Sequence, residues 1–505
     1  MSAEQPAKGL NAQLIKVWTT WGTRFLPFAD VATPELPLSR LLRLSLIQVS
    51  VGISLVLLVG TLNRVMIVEL GVPASVVGVM LALPLLAAPF RALVGHKSDT
   101  HKSAMGWRRV PYIYMGTMVQ FGGLAFMPFA ILVLSGAQEA FDERVWLGTP
   151  AAAIAFLMVG AGIHITQTVG LALATDLTKT EQQPNVVGLM YVMLLLGSIG
   201  AALFFGWVLA DFSQGRLIQV IQGCAVVTVS LNFLALWKQE TRIPSRLRPQ
   251  PVAPDPSFRE SWDLFVAKEK TLLRLLAVGL GTLAFSMSDI VLEPYGGEVL
   301  NLGVGTTTLL SALTAGGSLI GFAYASYILS LGADPFRMAS LGALIGVPAY
   351  GLVIFAATSD APSIFTLGVL LAGLGTGLFG HGTLTATMQL APKHQVGIAM
   401  GAWGAVQATS QGIGATIGGV VRDLTRGVDL GFNLAAKADG YVLIFGLELL
   451  LMLATLIAMR PLLHRENEKS CSAAGVLRPV FCCTPPPLPH IAGLDSPTGA
   501  AHPGK

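Results

Sequence analysis

The chain has 505 residues, of which 53% are hydrophobic and 12% charged, about half the charged share usual in soluble globular proteins. That composition disfavours a soluble enzyme, and a net charge of +4 spread over such a length disfavours a nucleic-acid binder, whose basic residues form a dense footprint. Glycine, at 56 residues, exceeds the ordinary share of about 7% and suits closely packed membrane helices.

Residues 1–40 read as a cytoplasmic N-terminal segment. It lacks the apolar core of a signal peptide. Leu14, Trp18, Trp21 and Phe25 recur there at helical spacing, as in an amphipathic helix lying in the headgroup region, with docking of a partner as the alternative. A membrane-spanning helix needs about 20 mostly apolar residues, and twelve such runs follow. The first half, 41–237, holds runs at 43–68, 74–95, 111–135, 151–175, 186–210 and 217–237. A basic, Pro-rich stretch at 238–270 reads as a cytoplasmic linker. The second half, 271–462, holds runs at 272–293, 306–330, 338–357, 363–390, 396–421 and 441–460, and a cytoplasmic tail expected to be disordered occupies 463–505. Cys224 lies in an apolar run and Cys471, Cys482 and Cys483 in the tail, with no disulfide or metal-ligand spacing.

The halves echo each other. ELGVPASVVGVMLA from Glu69 resembles NLGVGTTTLLSALTA from Asn301 at an offset of 232, and Asp211 to Gly215 resembles Asp423 to Gly427 at 212. With both termini placed in the cytoplasm, 26 of the 32 Lys and Arg residues fall on that side, as the positive-inside rule requires. These features predict an all-α membrane protein of major-facilitator-like fold, twelve transmembrane helices in two six-helix halves.

Between helices two and three, Gly95-x-x-x-Asp99 and Gly106-Trp107-Arg108-Arg109 resemble the major facilitator loop. Glycine permits a tight interfacial turn, and Asp and Arg can pair with each other and with helix ends. The residues Gly95, Asp99, Gly106, Arg108 and Arg109 therefore read as a gating motif or as simple cationic anchors. Charges inside the membrane are costly, and Arg64 in helix one with Asp289, Glu293 and Glu298 in or just beyond helix seven stand out. The offset of 232 places Arg64 level with Gly296, so an ion pair across the pseudo-twofold axis, Arg64 with Glu293, is expected. It would serve as a lock between halves or as a ligand contact. His164 in helix four and His381 in helix ten could ligate the magnesium of a tetrapyrrole, or simply take hydrogen bonds, as Gln48, Thr166 and Gln167 could between helices. Gly373, Gly377, Gly414 and Gly418 allow close packing and could also leave flat apolar space for a ring.

Long segments carry a more specific resemblance. RFLPFADVATPELPLSRLLRLSLIQVSVGI from Arg24, GTLNRVMIVELGVP from Gly60, APFRALVGHKSDTHKSAMGWRRVPYIY from Ala88, GLALATDL from Gly170 and LEPYGGEVL from Leu292 look like the PucC/LhaA family of purple phototrophic bacteria, over roughly residues 20–460. The resemblance implies a non-enzymatic assembly factor for light-harvesting antenna complexes, with the peripheral complex preferred over the core complex. It implies bacteriochlorophyll as a transient ligand and antenna polypeptides as partners, with bacteriochlorophyll-synthesis enzymes and the membrane insertion machinery as further candidates. It places the chain in the bacterial inner or intracytoplasmic membrane. The alternatives are a secondary transporter of a small solute and an accessory to bacteriochlorophyll synthesis. No nucleophile-base constellation or phosphate cradle supports catalysis.

Overall fold

The computed structural model describes residues 37–86, 94, 97–98, 106–134, 145–178, 183–240, 262–263, 265–267, 269–359, 361–390, 396–426 and 438–473. The aromatic stripe before residue 37, most of the linker and residues 474–505 lie outside the described residues, while residues 463–473, expected to be disordered, continue the last helix. Every secondary-structure element among the described residues is a helix. In the first half, α1 is Leu38–Glu69, α2 Ala74–Leu86, α3 Val110–Leu134, α4 Val145–Asp176, α5 Gln183–Val208 and α6 Gln214–Leu236. In the second half, α7 is Thr271–Glu298, α8 Val304–Ser330, α9 Pro335–Ser359, α10 Pro362–Leu390, α11 Val396–Leu424 and α12 Asp439–Ala473. Ten of these are long and apolar enough to cross a membrane. The other two are α2, described over only 13 residues, and α11. The chain is a multi-pass membrane protein.

Two helices are irregular. α1 loosens into π turns at Val56–Leu62 and Val65–Glu69, and α7 is interrupted at Met287, between Thr271–Ser286 and Ser288–Glu298. Such departures from the α ladder recur at functional positions. Both helices end in the same turn. Val72 N–H donates to Met66 O at 2.8 Å across Gly71 (φ +66°), and Leu302 N–H donates to Gly296 O at 2.9 Å across Asn301 (φ +51°). Each residue of positive φ closes a left-handed helix terminus. The structural repeat here is therefore 230 residues, two fewer than the sequence echo, because the similar letters begin two residues apart relative to the turn.

The halves meet along two equivalent seams, α2 against α11 and α5 against α8, with α1 facing α7 between them. Adding six to each helix number exchanges the seams, as a pseudo-twofold axis demands. The seams are backbone-close. A Cβ on Gly78 would lie 2.8 Å from Ala415 O across the first, and one on Gly305 would lie 2.6 Å from Gly206 O across the second.

Glycines in α10 pack in the same way. Added Cβ atoms on Gly373 and Gly377 would lie 2.2 Å from Thr314 O and Ser318 O of α8, so these positions are filled by backbone and leave no space for a ring. Gly377→Val is expected to cost at least about 1–3 kcal/mol by overpacking and to lower the melting temperature in detergent. Gly380→Ala, where nothing lies within 4 Å, should leave it nearly unchanged.

Candidate functional site

Three polar or apolar features stand out from the packed interior. The first is a lock at the end of the bundle where α1, α7 and α11 finish. Arg422 of α11, 3% exposed, donates to Glu298 Oε1 at 2.6 Å, and Tyr441 of α12 donates to Glu298 Oε2 at 2.7 Å. Arg422 also reaches its neighbour Asp423 at 3.2 Å. That carboxylate crosses to the first half and accepts from Ala74 N–H at 3.0 Å and Ser75 N–H at 2.7 Å. It thus caps α2 from the opposite half, where unpaired N–H groups and the helix dipole favour an anion. Nearby, Asn63 of α1 donates to Ile290 O of α7 at 2.9 Å.

Arg64 corrects one expectation. It pairs with Glu69 on its own helix and donates to Leu302 O at 3.3 Å, while Glu293 accepts from Ser311 at 2.6 Å. The expected Arg64–Glu293 ion pair is absent among the described residues. Wide π turns bring residues five apart onto one face, which puts Glu69 within reach. The expected closeness of α1 and α7 holds, since a Cβ on Gly297 would lie 3.0 Å from the Arg64 guanidinium.

At the opposite end, the loop motif is partly visible. Gly95 and Asp99 lie outside the described residues. Gly106 has φ +81°. Arg108 pairs with Asp176 at the end of α4, and Arg109 donates to Asp176 at 3.0 Å and to Ser98 at 2.6 Å. Glu240, just after α6, accepts from the N–H groups of Arg108 at 2.6 Å and Val110 at 3.0 Å. The two arginines and Glu240 therefore gather the ends of α3, α4 and α6 within one half. Asp176 and Glu240 escaped the reading of the sequence, although Asp176 lies in the quoted segment GLALATDL.

The second feature is an aromatic stack between the halves. The His381 ring of α10 lies 4.0 Å from that of Phe322 of α8, which lies 6.2 Å from Tyr191 of α5. His381 Nδ1 is buried without a hydrogen-bond partner. His164 stands on α4, and no hydrogen bond or ring contact joins it to His381 among the described residues.

The third feature is a lateral cleft between α1, α5 and α6 of about 580 Å³. Val49 and Ile53 form one wall, Gly200 and Phe204 another, Gln219 and Gly223 the third. Phe204 and Val227 at its rim are exposed, so it opens sideways, towards lipid. Space arises because nothing lies within 4 Å of a Cβ placed on Gly200 or Gly223. Neither His164 nor His381 lines it. The glycines of α10 and α11 serve close packing, and ring-sized space lies here.

The family model described as PUCC protein matches residues 61–467. The chain belongs to the PUCC protein family. It is 60% identical over 418 residues to Protein PucC of Rhodovulum sulfidophilum, covering 83% of this chain and 92% of that protein. It is 55% identical over 445 residues to Protein PucC of Cereibacter sphaeroides, covering 88% and 96%. Among solved structures, a bacterial homolog to the human lysosomal transporter Spinster, inward-facing and unoccupied, superposes with a TM-score of 0.60 at 15% identity, over 84% of this chain and 96% of that one. The fold is thus major-facilitator-like, as the two-half pattern predicts.

The lock generates a prediction. Glu298→Gln and Arg422→Gln should each destabilise the protein by roughly 3 kcal/mol, the cost of stranding a buried charged partner. The double variant should lose less than the sum of the two. Thermal unfolding of the four proteins in detergent measures the coupling, and strict additivity would remove the pair from the lock.

Proposed function

We infer that the protein is a non-enzymatic assembly factor for bacterial light-harvesting antenna complexes, which takes bacteriochlorophyll from the bilayer and passes it to antenna polypeptides. The observation that carries this reading is the lateral cleft. It is apolar on nearly every wall, it opens towards lipid, and it lies in a chain of the PUCC family. A tetrapyrrole with a hydrocarbon tail partitions into the membrane, so a site that receives it from the side need not open to water. The sequence resemblance leaves the peripheral antenna preferred over the core antenna. The concentration of Lys and Arg at the loop-motif end supports an inner-membrane placement with that end in the cytoplasm.

The residues fit the pigment in shape more than in ligation. Bacteriochlorophyll carries magnesium, which accepts an axial donor. The cleft offers the Gln219 amide as its polar group, and His381 stands apart in the aromatic stack. Held by its apolar faces and by few polar bonds, a ligand would leave readily. That suits delivery better than storage. Gly200 and Gly223 supply the room, Phe204 covers the mouth, and Val49 and Ile53 of α1 link the cleft to the helix that also carries Asn63 and Arg64.

Mild-detergent purification from pigment-replete cells, followed by absorption spectroscopy, tests the reading. The wild-type protein should carry bacteriochlorophyll. Gly200→Phe, whose Cβ would meet nothing within 4 Å and whose ring would occupy the cleft, should lower the bound pigment several-fold while leaving the melting temperature near that of wild type. His381→Phe should retain most of it. Pigment-free wild-type protein that also lacks antenna polypeptides would overturn the proposal.

A further inference from the structure

Glu448 lies within α12, in the stretch GLELLLMLATL, and is 0% exposed. It stands about nine residues from Asp439, some 13 Å at the helical rise of ~1.5 Å per residue, near the middle of a hydrocarbon core about 30 Å thick. Its Oε1 accepts from the N–H of Ser288 at 2.5 Å. Its Oε2 is buried with no partner. No cation pairs with it among the described residues.

The surroundings are specific. Ser288 opens the second stretch of α7, directly after the interruption at Met287. Its hydroxyl lies 2.7 Å from that of Tyr350 on α9. The next residue, Asp289, is half-buried, and its Oδ2 accepts from Gln411 of α11 at 3.4 Å. Asn63 of α1 donates to the carbonyls of Asp289 and Ile290. The titratable groups facing Glu448 are thus Asp289 from α7 and Tyr350 from α9. The charged residues of α11, Arg422 and Asp423, are engaged at the helix ends with Glu298 and the start of α2.

Two opposing effects act on this carboxyl. Full burial without a counter-cation favours the neutral acid, while the N–H at the start of a helical stretch favours the anion. A group held between them is suited to exchange a proton. A metal cation is less well served, because Oε1 already faces an N–H donor.

We propose that Glu448 is a proton-binding site in the membrane interior, filled and emptied through Asp289 at the contact between the two halves. Loss of the proton leaves a negative charge that only the Ser288 N–H holds directly, which tightens α12 against the interrupted α7. Through Asn63, the same segment of α7 grips α1. The proton therefore bears on the contact between halves, independently of any pigment in the lateral cleft.

Infrared difference spectroscopy on the full-length protein in detergent, titrated from acid to alkaline pH, reads this directly. At neutral pH the wild type should show the C=O stretch of a protonated carboxyl that Glu448→Gln lacks, and alkaline titration should abolish it. Asp289→Asn removes the neighbouring negative charge, so the band should disappear at lower pH, with proton affinity reduced about tenfold. An identical neutral-pH spectrum for Glu448→Gln and wild type would overturn the proposal. Displacement of the band by sodium at constant pH would overturn it in favour of a metal cation. If Glu448→Gln fails to accumulate, the comparison of wild type with Asp289→Asn decides, and coincident titrations overturn it.

Discussion

Inside a bilayer no water is available to satisfy a polar group, so every donor and acceptor must find its partner within the chain. The capping of α2 by Asp423 answers that demand in a way that shapes the rest. The first N–H groups of α2 are supplied from the opposite half, so the two halves cannot separate at this end without exposing both a helix terminus and a carboxylate. Arg422, Glu298 and Tyr441 extend the same arrangement into α7 and α12. The pseudo-twofold equivalent is missing. Asp211 occupies the corresponding end of α5, yet its side chain is 91% exposed and pairs with Arg216. One seam is locked by charge, whereas the other is closed at Gly206 and Gly305 by backbone contact.

That asymmetry runs through the molecule. The first half contains the lateral cleft and the arginine cluster that ties α3 to α4 and α6. The second half contains Glu293, Asp289 and Glu448, three acids within or beside its core. A transporter of small polar solutes would be expected to place such groups along a shared central path in both halves. Here the first half instead binds itself together with neutral pairs, Gln120 to Ser54 at 2.6 Å and Asn232 to Thr117 at 3.0 Å. The half that carries the cleft is thus kept almost free of charge at membrane depth, as suits an apolar ligand.

Much of the architecture was legible in the sequence because hydrophobic length and cation placement are properties of single segments. The spans, the echo between halves and the family resemblance all follow from local runs of letters. Partners were harder to read, since they depend on helix phase. Arg64 found Glu69 because π turns reset the phase of α1, and nothing in GTLNRVMIVELGVP announces a π turn. Glu448 was overlooked because its helix is otherwise strongly apolar, and one acid hardly changes the character of GLELLLMLATL. Its isolation was the signal, since a lone carboxyl at that depth needs an explanation. The cleft could not be placed from the sequence for another reason. Sequence shows where glycines are, but only packing decides which of them meet a backbone, as Gly377 does, and which face open space, as Gly200 does.

The central claim is that an apolar ligand is handled at the side of the first half. It is tested most directly by placing a photoreactive residue at Phe204, at the mouth of the cleft, and illuminating intact pigment-containing membranes. Ile457 of α12, 62% exposed and away from the cleft, provides the comparison. The account predicts bacteriochlorophyll adducts at position 204 well above those at 457. Equal labelling at the two positions, or labelling at 457 alone, would contradict it.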